Sequence, residues 1–484
     1  MTESLPEGWV YTTLKTLVGP EGLFTDGDWI LSEHLKTGND VRLIQLADIG
    51  IGVFQDKSKK HISSKTAHDL RVTFLRQNDV LISRMADPLA RACLFPTLGL
   101  PAITAVDVAI ARCDESVCIP AYLMNLCNSF QVLVQAEAAA VGTTRKRISR
   151  KNLEEIQVGL PPLPEQKRIV NILEMLADKV DHCNARLRTI TALLKRFRQS
   201  VLASACSGRL TADWRIQRNG APAPDETNAE SDDLPLGWKA VCVSDVIDDL
   251  KYGTSQKCGY EKRGVPVLRI PNVAKGVIDH NDIKYAELPA KEQKQLHLLP
   301  GDILIVRSNG SVSFVGKCAL VGEHERGFSY AGYLIRIRPN QTIVSPEFLN
   351  LALSSYDVRL QIELQARSTS GVNNINSEEV RALRLSLPPL DEQEEIVRRV
   401  NKLFILADKI ETRYKAVQQQ VDHLPQSILA KAFRGELVPT EAELAEREGR
   451  SYESAEQLLQ RIKYSRGTAP ASIVKKRGKQ PTSK

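Results

Sequence analysis

Two long stretches of the chain carry apolar residues at spacings that alternate between four and three. They run from Ile169 to Val201 and from Ile396 to Ile428. Such a seven-residue repeat predicts a helix with a narrow apolar stripe that packs against a second helix as a coiled coil. The stripe positions expected to form the seam are Leu173, Leu176, Val180, Leu187, Ile190, Leu194, Val400, Leu403, Ile410, Tyr414, Val417 and Val421.

The simplest partner for each helix is the other one. Antiparallel pairing is favoured because each helix follows its own bulky segment, and about 35 residues at 1.5 Å each give a rod of roughly 50 Å. Pro164 lies in the first turn of its helix, where a missing N–H is tolerated. Pro425 should kink or end the second helix near Leu424. The alternative is an ordinary helical hairpin without a spacing role.

Short β-branched runs precede each helix. Val41–Ile49 and Asp79–Arg84 come before the first helix, and Pro266–Val273 and Asp302–Arg307 before the second. With glycine, asparagine and aspartate at the turns between them, these runs predict mixed α+β domains, each with a twisted sheet.

The chain repeats its landmarks about 227 residues later. Leu5–Trp9 returns as Leu234–Trp238, and Pro161–Gln166 returns as Pro388–Gln393, whereas the segments between them share hardly any residues. Shared ends with divergent middles indicate one scaffold that presents two different reading domains. The predicted parts are a first head (1–160), a first helix region (161–214), a polar linker (215–233), a second head (234–387), a second helix region (388–438) and a flexible tail that is charged, helical and basic (439–484).

Bulk composition narrows the class of protein. A chain of 484 residues that is 42% hydrophobic suits two or three folded domains. It has no run of 18 apolar residues and no secretory signal pattern, and its nine cysteines include no Cys-x-x-Cys, so we expect a cytoplasmic protein with reduced thiols. Six of the net +7 charges lie in residues 465–484. The rest of the chain is nearly neutral, so any nucleic-acid binding by its folded domains must come from basic residues clustered on part of the surface.

A basic loop is the main contact candidate of the first head. Arg145, Lys146 and Arg147 follow Thr143 and Thr144, and Arg150 comes shortly after. Arginine and lysine pair with phosphates, and arginine also forms bidentate hydrogen bonds with guanine O6 and N7. The alternative is a solvated basic loop.

In the second head the equivalent stretch contains Asn373 and Asn374 in place of the charges, while Ile148 and Ile375 match. Asparagine suits the edge of adenine, so the exchange favours sequence readout over generic charge. The matching Arg84 and Arg307 are candidates either for base or phosphate contacts or for salt bridges at strand ends. Asp26–Trp29 is a further contact-loop candidate of the first head, in which Trp29 is favoured as a packing residue. The remaining DNA-contact candidates are Tyr252, Lys257, Arg269, Ser308, Asn309 and Ser311.

The sequence lacks the motifs that catalysis would need. Gly310 to Cys318 has the wrong spacing for a phosphate loop and ends in cysteine where a hydroxyl is required. There is no Asp/Asn-Pro-Pro-aromatic tetrapeptide of a base methyltransferase, and the eight histidines show no metal-ligand spacing. We therefore expect no enzyme activity and no metal in this chain.

Taken together, the motifs resemble the DNA-specificity subunit of type I restriction–modification enzymes. The resemblance rests on the repeated Pro-Pro-Leu-x-Glu-Gln, on Gln199–Ala205 with Gln426–Ala432, and on Phe433–Leu437. It implies two target-recognition domains, each reading half of an asymmetric bipartite DNA target. It also implies two adenine-methyltransferase subunits that bind S-adenosylmethionine and two restriction–translocase subunits that use ATP and Mg²⁺, with no cofactor in this chain. The alternatives are a coiled-coil adaptor and a self-contained methyltransferase or nuclease.

On this interpretation the paired helices set the spacer between the half-sites. One heptad inserted in both helices, at facing levels, keeps the seam and adds roughly 10 Å. The spacer should then lengthen by about three base pairs, because B-DNA rises about 3.4 Å per pair. Mapping of modified adenines with the methyltransferase partner checks this, and efficient methylation at the original spacing would contradict it.

Overall fold

The computed structural model describes residues 5–36, 38–85, 88–143, 145–219, 234–366 and 373–468. The chain forms two compact units. Unit one comprises Met1–Arg186 and Val417–Lys484, and unit two comprises Leu187–Ala416. Each unit therefore holds one head and a segment of each long helix. Among the described residues, no helix is long and apolar enough to cross a membrane.

Unit one contains the first head, the start of the first long helix and the end of the second. Its strands are β1 (Val10–Thr13), β2 (Leu23–Asp26), β3 (Val41–Ile44), β4 (Lys60–Ile62), β5 (Val80–Ser83), β6 (Ala92–Leu94), β7 (Ala102–Thr104), β8 (Val108–Arg112) and β9 (Gln157–Leu160). Its helices are α1 (Leu14–Leu17), α2 (Ser64–Leu70), α3 (Pro120–Cys127), α4 (Phe130–Ala138), α5 (Arg150–Glu154), part of α6 (Leu163–Cys206), part of α13 (Leu390–Phe433), α14 (Glu441–Glu448) and α15 (Ala455–Thr468).

Unit two contains the second head and the other segments of α6 and α13. Its strands are β10 (Lys239–Cys242), β11 (Ile247–Tyr252), β12 (Val265–Leu268), β13 (Lys284–Ala286), β14 (Ile303–Val306), β15 (Ser308–Asn309), β16 (Cys318–Leu320), β17 (Ser329–Tyr330), β18 (Leu334–Pro339), β19 (Asn373–Asn374) and β20 (Arg384–Leu387). Its further helices are α7 (Ala212–Asn219), α8 (Ile270–Val273), α9 (Ala290–Leu296), α10 (Pro346–Leu353), α11 (Tyr356–Gln365) and α12 (Ser377–Arg381).

The two heads share one strand topology, which confirms the predicted α+β repeat. The first head has the sheets β2-β8-β5-β6 and β4-β3-β7 and the pair β1-β9, and the second has β11-β18-β14-β16, β13-β12-β17 and β10-β20. In each three-stranded sheet one pair is parallel, namely β3 with β7 and β12 with β17. Structural positions in one head can therefore be matched to positions in the other by strand register.

Two of the predicted strands are shorter than expected. The run Val41–Ile49 leaves the sheet after Ile44, and Pro266–Val273 leaves it after Leu268 and continues as helix α8. In the second case the Asn272 side chain accepts the backbone N–H of Arg269 at 2.8 Å, which caps the helix. A local side-chain bond thus overrides the β-propensity of the run.

The long helices pair antiparallel in both units, as predicted. In unit one Ile169, Val170 and Leu173, near the start of α6, share a core with Leu429 and Phe433 at the end of α13. In unit two the end of α6 packs on the start of α13, and Arg198 pairs with Asp408 at 2.6 Å and Glu411 at 3.0 Å.

Burial along the seam is uneven. The buried seam positions are Leu173, Leu187, Leu194, Val400 and Val421, and the half-buried ones are Leu176, Val180, Ile190, Leu403 and Tyr414. Ile410 and Val417 were also expected in the seam, but both are exposed, so the structure does not place them in its buried part. Of the two outcomes expected at Pro425, a kink or a helix end, the end near Leu424 is wrong, since α13 continues through Pro425 to Phe433. Buried Leu429, Ala432 and Phe433 hold the turns that follow the proline.

The repeated sequence landmarks perform the same structural task in each unit. The Trp9 indole N–H donates to the buried Glu165 carboxylate at 2.7 Å, and the Trp238 indole N–H donates to Glu392 at 3.0 Å. Each bond joins the entry of a head to the first turn of the helix that follows it. The shared motifs therefore build the frame on which the heads are mounted.

The chain that leaves each long helix packs on the head at the helix's far end. Gly208 follows α6 with φ of +75°, and a Cβ there would lie 2.6 Å from the Pro235 ring of the second head. Gly435 follows α13 with φ of +72°, and its Cβ would overlap the Pro6 ring of the first head. Only glycine combines a left-handed backbone with such close approach.

The segments after these glycines are folded. Residues 215–219, predicted as polar linker, are the last five residues of α7, in which Arg215 is buried and pairs with Glu392. Residues 439–468 form α14 and α15, which pack into unit one. Residues 220–233 and the basic residues 469–484 lie outside the described residues.

Candidate nucleic-acid interface

Polar residues from two distant segments meet in the second head. The short strand β15 pairs antiparallel with β19, so that Ser308 lies opposite Asn374 and Asn309 opposite Asn373. The Asn373 side-chain amide donates to the Gly310 carbonyl at 3.1 Å. This ladder holds hydroxyl and amide groups at a partly exposed edge.

Arg307, which immediately precedes β15, is held over an aromatic ring. Its guanidinium carbon lies 4.6 Å from the centre of the Tyr252 ring, and its Nε donates to Asn374 Oδ1 at 3.3 Å. Two backbone bonds fix the residue, from Arg307 N–H to the Tyr333 carbonyl at 3.0 Å and from Ile375 N–H to the Arg307 carbonyl at 2.8 Å. Among the described residues no carboxylate forms an ion pair with Arg307. Its charge is therefore positioned without being neutralised.

Exposed aromatic side chains extend this surface. Tyr333 is 64% exposed, and Phe314 and Tyr252 are also exposed. The Tyr252 hydroxyl accepts the Ser377 N–H at 2.7 Å, which fixes the ring beneath Arg307. The Ser311 N–H donates to Asn309 Oδ1 at 2.9 Å and closes the turn after β15. Aromatic rings beside arginine and amide groups are suited to nucleic-acid contact.

We call this group the Arg307 cluster, defined as Tyr252, Arg307, Ser308, Asn309, Ser311, Tyr333, Asn373 and Asn374. Tyr333 and Phe314 were missed from the sequence, and the only signal for Tyr333 was its place after Gly332 in a turn between strands. Two candidates are not brought into the cluster by any contact among the described residues. Lys257 lies on an exposed loop, and Arg269 binds Asp282 at 2.6 Å, which lowers the pKa of that carboxyl.

The first head builds the same backbone frame from other residues. Arg84 N–H donates to the Asp107 carbonyl at 2.9 Å, and Ile148 N–H donates to the Arg84 carbonyl at 3.0 Å. A bridge between Met85 and Arg147 takes the place of the β15–β19 ladder. Arg84 thus corresponds to Arg307, and the basic loop corresponds to the asparagine segment.

The matched arginines have opposite environments. The register of β2 with β8 puts Asp26 opposite Ala109, and the register of β11 with β18 puts Tyr252 opposite Ile335, which is the same structural position. Arg84, only 6% exposed, forms an ion pair with Asp26 and donates through Nε to the Ile148 carbonyl at 3.2 Å.

Burial lowers the pKa of Arg84, with Asp26 opposing the shift. The side chain therefore holds the loop from inside. This corrects its assignment as a DNA contact in favour of the ion pair at a strand end.

The basic loop itself faces outward, but its charges are not equivalent. Lys146 is paired with Glu137, Arg147 lies 3.4 Å from Asp107, and Arg150 lies 3.2 Å from Glu154. Arg145 is exposed and has no ion-pair or hydrogen-bond partner among the described residues. Thr143 is also exposed, whereas Thr144 lies outside the described residues.

Trp29 is 62% exposed, so its assignment as a packing residue is wrong. The neighbouring Asp28 carboxylate accepts the Thr73 N–H at 2.9 Å. This bond anchors the loop through Asp28 and leaves the indole at the surface. Trp29 therefore adds an exposed aromatic side chain to the first head, close in sequence to Asp26 beneath the basic loop.

The chain is similar to proteins of one known family. The family described as type I restriction modification DNA specificity domain matches residues 117–192 and 235–419, more than half of the chain. The EcoKI specificity subunit of a type I restriction enzyme from Escherichia coli K12 is 36% identical over 299 residues, which are 62% of this chain and 61% of that relative. The chain therefore spans less than two thirds of that relative's length.

Two solved structures share the fold. One is a chain from a study of complex assembly and conformational transition of the type I R-M system, with a TM-score of 0.65 and 20% identity over 90% of this chain and 100% of that chain. The other is the HsdS subunit from Thermoanaerobacter tengcongensis, with a TM-score of 0.56 and 21% identity over 90% of this chain and 99% of that chain.

Proposed function

Because the chain belongs to the type I restriction modification DNA specificity domain family, we propose that it is the subunit that reads the DNA target in a type I restriction–modification complex. The observation that carries this proposal is a difference between its two heads. At one structural position, framed by the same backbone bonds, the first head presents a basic loop and the second presents the Arg307 cluster. To read two different half-sites, the two heads must place different polar side chains at the same structural position.

The two sets of side chains would read DNA by different chemistry. In the second head, Asn373 and Asn374 offer the paired donor and acceptor that match an adenine edge, and Arg307 offers a guanidinium for guanine or a phosphate. In the basic loop of the first head, Arg145 is the residue for which the described part of the chain supplies no ion-pair or hydrogen-bond partner. Its loop supplies phosphate contacts and, through arginine, one guanine contact.

Partner subunits carry the chemistry in this proposal. Two adenine-methyltransferase subunits that bind S-adenosylmethionine would dock on the α6 and α13 helices, and two restriction–translocase subunits would use ATP and Mg²⁺. This chain would then be a non-catalytic recognition subunit. The exposed positions Ile410 and Val417 on α13 support docking of a partner subunit, since exposed apolar side chains on a helix are available for a further contact.

The decisive experiment maps modified adenines with the methyltransferase partner present. The double substitution Asn373→Ala with Asn374→Ala is expected to relax one half of the target and leave the other unchanged. Each lost bidentate contact costs about 1–3 kcal/mol of discrimination. Asn281→Ala, at an exposed asparagine of the same head outside the cluster, is the matched control and should leave the target intact. An unchanged target in the double variant would contradict the proposal.

The basic loop should provide salt-dependent affinity. Replacing Arg145, Lys146 and Arg147 by alanine should weaken binding of the complex to DNA and flatten its salt dependence, by about 0.9 in log–log slope per lost phosphate contact. Arg145→Ala alone should account for more of the loss than Lys146→Ala, because Lys146 is already paired with Glu137. Binding titrations at several salt concentrations measure both effects. An unaltered slope in the triple variant would leave the loop as a solvated basic patch.

A further inference from the structure

Three potential metal ligands converge beside the three-stranded sheet of the second head. His280 lies in the loop between α8 and β13, and His324 and Glu325 lie in the 3₁₀ turn between β16 and β17. Their ligand atoms all lie within 4.8 Å of one another. Because His280 and His324 lie 44 positions apart in the chain, the sequence shows none of the short spacings by which metal sites are usually found.

The carboxylate is buried and already oriented. Glu325 is 4% exposed, and its Oε2 accepts the Gly322 N–H at 2.7 Å within the cap of the turn. The other oxygen, Oε1, lies 2.5 Å from His280 Nε2 and 3.4 Å from His324 Nδ1. Among the described residues no lysine or arginine pairs with Glu325. A buried carboxylate is thus left facing two imidazoles, although burial of a carboxylate normally demands a charged partner.

We propose that His280, His324 and Glu325 bind a divalent transition metal of the zinc class. Two imidazoles and one carboxylate are a recognised zinc ligand set, with bond lengths of about 2.0–2.2 Å and a fourth position for water. Ligand atoms at tetrahedral corners then lie about 3.3 Å apart. The spacing of Glu325 Oε1 from His324 Nδ1 is already close to this value, and its spacing of 2.5 Å from His280 Nε2 falls short of it by less than about 1 Å.

The metal would act as a structural cross-link between the segments that precede β13 and β17. β13 and β17 both pair with β12, on its two sides, and the ligands lie in the segments that lead into these outer strands. Coordination would therefore cross-link two segments that already meet through the His280–Glu325 hydrogen bond and through the His280 and His324 rings, whose centres lie 4.5 Å apart. This role is independent of the proposed DNA reading, because none of the three ligands belongs to the Arg307 cluster.

The test uses the full chain with Zn²⁺ alone. Calorimetric titration should give one site per chain, and the Tm of unit two should rise by about 5 °C or more at a zinc concentration 100-fold above Kd. EDTA should reverse the rise. The double variant His280→Ala with His324→Ala should lose both responses. His182→Ala with His423→Ala, which removes two exposed histidines from the long helices, should keep them.

Two further measurements identify the ligand atoms. Glu325→Gln retains an oxygen for the Gly322 N–H but loses the charge, so zinc binding should weaken at least about tenfold, as even ligand-orienting residues change affinity by about 10- to 100-fold. Cobalt substitution should give a spectrum without a thiolate charge-transfer band, which excludes the nine cysteines as ligands. Absence of one-site binding, a thiolate band, or a response that survives in the His280/His324 variant would overturn the proposal.

Discussion

Removal of residues 439–484 is expected to unfold most of unit one while leaving unit two folded. The buried residues Ala455, Leu458 and Ile462 of α15 belong to the core of unit one. Burial of a leucine or isoleucine side chain contributes about 1.5–3 kcal/mol each. Their loss, with that of α14, would consume much of the roughly 5–15 kcal/mol that stabilises a typical domain.

Polar contacts add to this loss. The first N–H of α14, at Glu441, donates to the buried Glu165 carboxylate at 2.8 Å. Burial raises the pKa of Glu165, and the Glu441 N–H and the Trp9 indole oppose that shift by stabilising the charged form. Without α14 this carboxylate loses one of its two donors, and Arg168 loses Glu441, its partner at 2.6 Å. An unsatisfied buried charge is among the costlier defects in a protein.

Hydrogen exchange measured by mass spectrometry separates the units and checks this expectation. Peptides from β5, β8 and α3 should lose protection in the truncated chain, and peptides from β14 and β18 should keep it. Truncation after Thr468 is the matched control, because it removes the basic stretch 469–484 but none of the buried residues of α14 and α15. Equal protection of unit one in the full chain and in the chain ending at Val438 would show that the two helices are dispensable.

The sequence predicted well those features that depend on local periodicity. The heptad spacing located both long helices and their pairing, and the β-branched runs located β3, β5, β12 and β14. The repeated landmarks correctly indicated a repeated scaffold. Their structural task was not visible, because the contact of Trp9 with Glu165 and that of Pro6 with Gly435 join residues far apart in the chain.

Long-range packing also explains what the sequence did not reveal. The packing of α14 and α15 into unit one was not predicted, because the charged composition of this segment hides the few residues that the two helices bury. Arg84 and Arg307 were indistinguishable in sequence because each follows an apolar strand. What separates them is the neighbouring strand, where register places Asp26 beside one and Tyr252 beside the other.

The same substitution at these two arginines should therefore have opposite consequences. Arg84→Met leaves Asp26 without its main partner and removes the bonds to the Ile148 and Val106 carbonyls, both 3.2 Å. Breaking a buried ion pair from one side costs about 3–5 kcal/mol, and the lower end applies here because the Asp26 side chain keeps 18% exposure and Arg150 lies 4.0 Å away. Unit one should lose about that much stability.

Arg307→Met removes a cation from the face of Tyr252, a contact worth about 0.5–1 kcal/mol at an exposed site. Unit two should thus stay within about 1 kcal/mol of its original stability, while one half of the DNA target loses discrimination in the complex. Urea unfolding with segment-resolved hydrogen exchange measures the first effect, and mapping of modified adenines measures the second. Equal destabilisation by the two substitutions, or a target unchanged by Arg307→Met, would contradict the division between an arginine that supports its loop and one that reads DNA.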